Sequence, residues 1–271
     1  MPMNEHVVII SGAATGLGRT MALGLLESGR RLVAMGRDES TLATFAAEAG
    51  GRGLTQHLLT VRGDVTKPED CRVVVAATLE RFGRIDILIN NAAAHLPATR
   101  APAKFYELTD LQWNAAFDTN ITGAFYMARA VTPHLIERGW GRIVNHQTTY
   151  ATMLRAGMNP YGPSKAALEA ATAAWADELS GTGVTVNEIL PGGAADVPRI
   201  SRDVFPDRSK LVSPEVLVGP ILWLASTASN GFTGQRITAN RWDRTAPDEQ
   251  NLRNSAELAG WRSAAPSPGR L

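Results

Sequence analysis

Short runs that are apolar at nearly every position alternate with longer segments of mixed polarity along most of the chain. The runs are "HVVII" at 6–10, "RLVAM" at 31–35, "HLLTV" at 57–61, "IDILIN" at 85–90, "GRIVNH" at 141–146 and "VTVNEIL" at 184–190. They lack the in–out alternation of a half-exposed strand, which predicts parallel strands covered on both faces. Between them, 16–28, 39–49, 67–82, 110–138 and 160–180 are rich in Ala, Leu and Glu at helical spacing. A further helix is expected to begin at Ser213 and Pro214, where proline suits the first turn, and a last strand falls near 236–239. Repeated strand–helix units require right-handed crossovers. The expected architecture is therefore α/β, a doubly wound parallel sheet flanked by helices, forming one domain over 1–245. Residues 246–271 are polar and end in a Pro/Ser/Gly-rich stretch, so they are expected to be a loose or partner-ordered tail.

Composition narrows the function classes. At 271 residues, 44% hydrophobic and 20% charged, the chain can bury one large core. Its net charge of +1, with basic residues dispersed, argues against nucleic acid or an anionic membrane as a partner. Cys71 is the single cysteine, which excludes an internal disulfide and a cysteine-rich zinc site. His95 has no companions at ligand spacing, so no metal is expected. The start "MPMNEHVVII" does not read as a signal peptide, and no apolar run reaches the roughly 20 residues of a membrane span. A cytoplasmic protein acting on a small molecule is the expectation.

The first apolar run leads into "SGAATGLG". Gly12 permits a tight strand-to-helix turn, Gly16 the close approach of backbone to a pyrophosphate, and Gly18 close helix packing. Ala14, Thr15 and Leu17 supply the rest of the cradle. Unpaired N–H groups and the positive helix end would meet phosphate there. The turn follows a strand and opens a helix, which makes it a dinucleotide-binding, Rossmann-type signal in the N-terminal half. The second strand ends "VAMGRD". Where an NAD-binding chain places an acid to hold the ribose hydroxyls, Gly36 stands here and Arg37 follows, which favours NADP over NAD. Asp38, next along, weakens that preference.

In "TTYATMLRAGMNPYGPSK" at 148–165, Tyr161 and Lys165 lie four residues apart, on one helix face. A phenol with a pKa near 10 is a poor base at neutral pH, and an ammonium beside it favours the phenolate. Such a tyrosine can exchange a proton with an alcohol oxygen while hydride moves to or from nicotinamide, and a nearby hydroxyl can polarise the carbonyl.

With these residues in place, the chain resembles the classical short-chain dehydrogenases/reductases from its first strand to about residue 240. The resemblance rests on "SGAATGLG", "GDV" at 63–65, "NNAA" at 90–93, "DTNITG" at 118–123, "GRIVN" at 141–145, "YGPSK" at 161–165 and "LPGG" at 190–193. It implies that Tyr161 is the general acid/base and that Lys165 lowers its pKa and grips the nicotinamide ribose. Asn120 would help to hold a proton-relay water, and Thr148 takes the place of the serine that orients the substrate oxygen. Threonine keeps that hydroxyl, and its methyl narrows the approach. Thr149 is the neighbour that competes for the role.

The resemblance further puts Asp64 and Val65 beside the adenine, Asn91, Ala92 and Ala93 near the adjoining ribose, and Pro191 and Gly192 in the loop by the nicotinamide. Ala93 replaces a usual glycine. Ala194, Ala195 and Asp196 replace the usual threonine donor, which leaves backbone contacts to the nicotinamide. A pocket built from His95, Leu96, Tyr150, Met153, Leu154, Arg155, Met158, Val197 and Ile200 is implied; the polar segment 194–212, with Pro198 and Pro206, reads as a mobile lid, and Arg155 as a surface salt bridge in preference to a partner for an acidic substrate group. A homotetramer or homodimer through the two long central helices is implied as well. The expected activity is NADP(H)-dependent oxidoreduction of a secondary alcohol or ketone, 3-oxoacyl-reductase-like or on another small carbonyl compound. The alternatives are an NAD-dependent alcohol dehydrogenase of the same family, a non-catalytic dinucleotide-binding regulator, and a lyase or epimerase on the same scaffold.

Overall fold

The computed structural model describes residues 6–95, 103–198, 200 and 202–262. The strands are β1 (Val7–Ser11), β2 (Arg31–Gly36), β3 (Leu58–Arg62), β4 (Ile87–Asn90), β5 (Gly141–His146), β6 (Val184–Leu190), β7 (Gln235–Thr238) and β8 (Ala256–Leu258). They form one sheet in the order β3-β2-β1-β4-β5-β6-β7-β8. Every pairing is parallel except β7 with β8. The helices are α1 (Gly16–Glu27), α2 (Glu39–Gly51), α3 (Pro68–Phe82), α4 (Asp110–Phe117), α5 (Gly123–Glu137), α6 (Tyr150–Leu154), α7 (Tyr161–Glu178), α8 (Val218–Leu224) and α9 (Asp248–Ser255). The doubly wound α/β architecture is the expected one. Strand order reverses between β1 and β4, the switch point at which such sheets open a crevice for ligands.

The apolar runs are continuous because each strand serves two cores. Val8, Ile10, Leu32, Ala34, Ile87 and Ile89 pack with α1 and α8 residues such as Met21, Leu25 and Ile221. The alternate residues Val7, Ile9, Val33, Met35 and Leu88 pack on the other face with Val74, Met127 and Val131 of α3 and α5. A side chain on either face of a central strand is thus removed from water.

Two expectations are corrected. The single helix over 110–138 is interrupted by a π-turn, Asp118–Thr122, between α4 and α5. The wider turn carries Asn120 into the gap between Ala94 and Ser164, where its side chain is held from both sides. The second correction concerns the segment after 245. Residues 248–258 form α9 and the antiparallel edge strand β8 instead of a loose tail. Asn251 secures them: it accepts from the Asp243 N–H and donates to the Asp243 and Ala246 carbonyls. Arg262 then binds Asp177 and the Ala173 carbonyl of α7. The composition is polar because a surface helix and an edge strand bury little: α9 buries Asn251 and Ser255, and no residue of β8 is fully buried. The remainder of that tail, 263–271, lies outside the described residues, as does Leu96 of the expected pocket.

Candidate active site

The site begins at the glycine turn. Gly12 has φ +65°, and its N–H reaches across to the Met35 carbonyl at 2.8 Å. A Cβ on Gly18 would sit 2.2 Å from the Gly12 carbonyl oxygen and 2.4 Å from Asn91 Nδ2, so only glycine allows α1 to start this close to the turn. Gly16 is different. A Cβ there would meet nothing nearer than Val197 at 3.7 Å, so this backbone faces open space. Thr15 precedes α1 in extended conformation, its side chain makes no cap, and the first turn holds no acidic residue. The N–H groups of Gly16, Leu17 and Gly18 are therefore not answered by a local anion, and a pyrophosphate fits that donor set. Ala14, half-buried, rests on the core below the turn.

Asn91, expected beside the ribose, works beneath the turn. Its amide donates to the Ser11 and Gly12 carbonyls, while its N–H and that of Ala92 donate to Ser11 Oγ. Val65 is likewise buried and packs against the Cα of Gly123, where a Cβ would lie 2.6 Å from its Cγ2. Asp64 accepts from Thr66 through Oδ1, and its Oδ2 lies 3.9 Å from Arg37 Nη1. The Arg37 side chain is 74% exposed at the tip of β2. Asp38 caps α2 through the Thr41 N–H and binds Ser40 Oγ, so its carboxylate is engaged by the helix end. Arg62, which the sequence reading passed over, stands beside Gly36 in register and donates to the Arg37 carbonyl. Its position at a parallel strand's C-terminal end is the signal that could have found it.

The first turn of α7 gathers the four expected catalytic residues through shared hydrogen bonds. Gly162 makes this possible, since a Cβ there would lie 2.5 Å from the Met153 carbonyl oxygen of α6. Asn120 Nδ2 donates to Ser164 Oγ at 2.8 Å, and that hydroxyl donates to the Tyr161 carbonyl at 2.7 Å. Asn120 also clamps Ala94 by accepting from its N–H and donating to its carbonyl. The Tyr161 ring is half-buried and packs against His95, with centroids 4.2 Å apart. Lys165 is 1% exposed, and its ammonium donates to the His146 carbonyl at 2.6 Å. Burial pulls that ammonium down to about 8, and Glu188 acts in the opposite direction. Gln147 ties Thr148 to the same turn: its Oε1 accepts from the Thr148 N–H, and its Nε2 donates to the Lys165 carbonyl.

Geometry separates the two threonines. Thr149 caps α6 by accepting from the Thr152 N–H, and its hydroxyl also meets that of Thr152. The Thr148 backbone is held at its N–H by Gln147 and at its carbonyl by Arg236, 2.8 Å away. Its own hydroxyl makes no hydrogen bond among the described residues and is available to a ligand.

The loop after β6 is supported from behind. A Cβ on Gly192 would lie 2.1 Å from Asn240 Oδ1, and the Asn240 N–H donates to the Pro191 carbonyl. Asp196 pairs with Arg208, and Ala195 bridges to Val212, so part of the expected lid is tied down. Of the expected pocket, Met153 is buried and Leu154 is 79% exposed. Arg155 meets Met158 Sδ, not an acid. Tyr150 points away from a pocket role, donating to Glu169 Oε1 and lying under the Arg236 guanidinium. No helix among the described residues is long and apolar enough to cross a membrane.

Comparison with known proteins agrees with this geometry. The family model described as short chain dehydrogenase matches residues 6–204. A 3-oxoacyl-[acyl-carrier-protein] reductase of Thermotoga maritima is 30% identical over 245 residues, covering 88% of this chain and 97% of that protein. The crystal structure of a single-residue variant of actinorhodin polyketide ketoreductase with NADPH is similar at TM-score 0.76 and 27% identity, over 85% of this chain and 94% of that one. A 3-ketoacyl-(acyl-carrier-protein) reductase from Brucella melitensis, complexed with NADH, is similar at TM-score 0.75 and 26% identity, over 85% and 95% of the two chains. The chain belongs to the short chain dehydrogenase family, and it is a nicotinamide-dinucleotide-dependent oxidoreductase acting on CH–OH or carbonyl groups.

Proposed function

We propose that the protein transfers a hydride between NADP(H) and a secondary alcohol or ketone, with 3-oxoacyl thioesters the favoured carbonyl class. The observation that carries this reading is the pairing, on one turn of α7, of a half-buried phenol with a lysine that is 1% exposed. A bound nicotinamide supplies or accepts the hydride. Tyr161 gives a proton to the carbonyl oxygen during reduction and removes it from the alcohol during oxidation. The Lys165 ammonium would favour the phenolate and grip the nicotinamide ribose. The Thr148 hydroxyl donates to the same substrate oxygen and polarises it. Asn120, with its side chain filled by Ala94 and Ser164, holds the tyrosine turn against the end of β4.

The first helical turn of α1 would hold the pyrophosphate, with Asp64, Val65 and the backbone of Ala92 and Ala93 lining the adenosine side and Pro191 and Gly192 the nicotinamide side. Arg37 would meet the 2′-phosphate, with Arg62 adding charge at the same strand tips. Capping of α2 by Asp38 supports this, because it takes away the acid that would otherwise compete. Self-association through α5 and α7, as a tetramer or dimer, is supported by Phe125 and Ile136 of α5, which are 40% and 44% exposed; light scattering tests it.

Assaying the purified chain with NADPH and with NADH, across ketones that include an acetoacetyl thioester, tests the function. Turnover with NADPH at least tenfold above that with NADH is expected. Binding of cofactor with no turnover of any ketone or alcohol would point instead to a regulator.

A further inference from the structure

Arg236 is a charge in a strand that has no wet face. Its neighbour Ile237 joins the core beneath α1 and α8, so Arg236 points to the other face of β7, toward α7. It is 1% exposed, and burying a guanidinium is costly unless its donors are answered. The acids beside it do not answer them. Glu169 of α7 lies 3.9 Å from Nη1 and Glu257 of β8 lies 3.8 Å from Nε, and neither nitrogen makes a hydrogen bond among the described residues. The short hydrogen bond goes elsewhere: Nη2 donates to the Thr148 carbonyl at 2.8 Å, from 88 residues further along the chain.

Thr148 is thereby held at both of its peptide groups. Gln147 Oε1 accepts from its N–H at 3.0 Å, and the Gln147 N–H is itself anchored on the Ile189 carbonyl of β6 at 2.8 Å. Arg236 grips the carbonyl from β7, on the far side of β6. With no hydrogen bond of its own among the described residues, the Thr148 hydroxyl is aimed by its backbone. A threonine is stiff at χ1, so fixing the flanking peptide planes narrows the direction of Oγ1 to few rotamers. The guanidinium is held in turn. Its Cζ lies 3.6 Å from the centre of the Tyr150 ring, and stacking keeps the planar fork in one orientation. The Tyr150 hydroxyl and the Gly260 N–H both donate to Glu169 Oε1 at 2.9 Å. A Cβ on Gly260 would stand 2.7 Å from Ala173 Cβ, so only glycine lets the return after β8 lie this close to α7. These contacts join Arg236 to the helix that carries Tyr161 and Lys165.

We propose that Arg236 is a positioning residue, whose guanidinium fixes the Thr148 peptide so that the Thr148 hydroxyl stays directed at the substrate oxygen. The inference rests on the role proposed above for Thr148. In this reading Arg236 meets neither substrate nor cofactor and moves no proton. Its part is geometric. A donor to a developing oxyanion has to sit within about 0.5 Å of its working place, and a misplacement of about 1 Å costs up to 10²-fold in rate.

The test is a double-mutant cycle of Arg236→Met with Thr148→Ala, read as kcat, KM and NADPH affinity on the ketone of the assay panel that is reduced fastest. Arg236→Met keeps the length of the side chain and removes the donor. With Thr148 present it should lower kcat about tenfold, while KM and NADPH affinity stay within about twofold of their starting values. In the Thr148→Ala protein it should lower kcat no further, because the hydroxyl it serves is gone. An equal fall of kcat in both backgrounds, or an unchanged kcat with Thr148 present, would overturn the positioning role. Arg236→Lys keeps the charge beside Glu169 but loses the planar fork, and should give a smaller fall, again only where Thr148 is present. Should Arg236→Met fail to fold, Arg236→Lys decides by the same comparison of backgrounds. Failure of the underlying reading shows separately. Thr148→Ala with kcat unchanged would remove the hydroxyl from the mechanism and Arg236 with it, and absence of turnover in the unsubstituted protein would remove both.

Discussion

The two halves of the sheet are built differently, and on the proposed reading they would bind and react by different means. On the β1 and β2 side the central strands bury apolar side chains along nearly their whole length, and the groups proposed to face a ligand are backbone N–H donors at the start of α1. On the β5, β6 and β7 side the same sheet buries Asn145, Glu188 and Arg236, and the proposed reactive groups are side chains. A backbone cradle needs only that no Cβ intrude. A side-chain site needs each partner to be present, because a buried polar group stripped of its partner is costly. The catalytic half should therefore respond to substitution through chemistry, and the cofactor half through sterics.

The largest effect expected is in the catalytic half. Tyr161→Phe removes the proposed proton donor and should lower kcat/KM by about 10²–10⁴-fold in steady-state assays while leaving cofactor affinity intact. Next comes the threonine pair. Thr148→Ala should cost roughly 10²-fold in kcat, the size seen for loss of one donor to a developing oxyanion. Thr149→Ala should leave kcat near its starting value and instead lower thermal stability by about 1 kcal/mol, as for a lost helix cap. The opposite result would exchange the roles of the two residues.

In the cofactor half, Gly18→Ala drives a methyl into the Gly12 carbonyl. A loss of about 1–3 kcal/mol in thermal or denaturant unfolding is expected, together with weaker cofactor binding. Gly16→Ala has room in the protein, so it should cost less in stability, through its φ of +54° alone, yet still block the pyrophosphate. Isothermal titration with NADPH alongside a melting curve separates the two cases. The smallest effect expected is that of Arg37→Ala, about tenfold weaker NADPH binding with NADH unchanged. Equal weakening of both cofactors would remove Arg37 from the phosphate site.

Much of this was legible in the chain. The continuous apolar runs announced a two-faced parallel sheet, and "SGAATGLG" and "YGPSK" marked where the sheet would be put to use. Local patterns sufficed because they report local requirements, such as a turn that only glycine can make or a four-residue helical spacing. Two signals were present and not used: a glutamate inside "VTVNEIL" and an arginine inside "QRIT" are charges in strands that have no wet face.

The alternation of strands and helices as far as β7, the glycine turn and the Tyr161–Lys165 face could be read from the chain unaided. Folding in three dimensions was needed to show that Asn120 is held by Ala94 and Ser164, that the Lys165 ammonium reaches the His146 carbonyl, and that the segment after 245 closes the sheet. The reason is physical. Spacing along a chain reports neighbours within a turn or a strand, whereas the state of a hydroxyl or a carboxyl depends on partners tens of residues away. Packing alone brings those partners within hydrogen-bond reach.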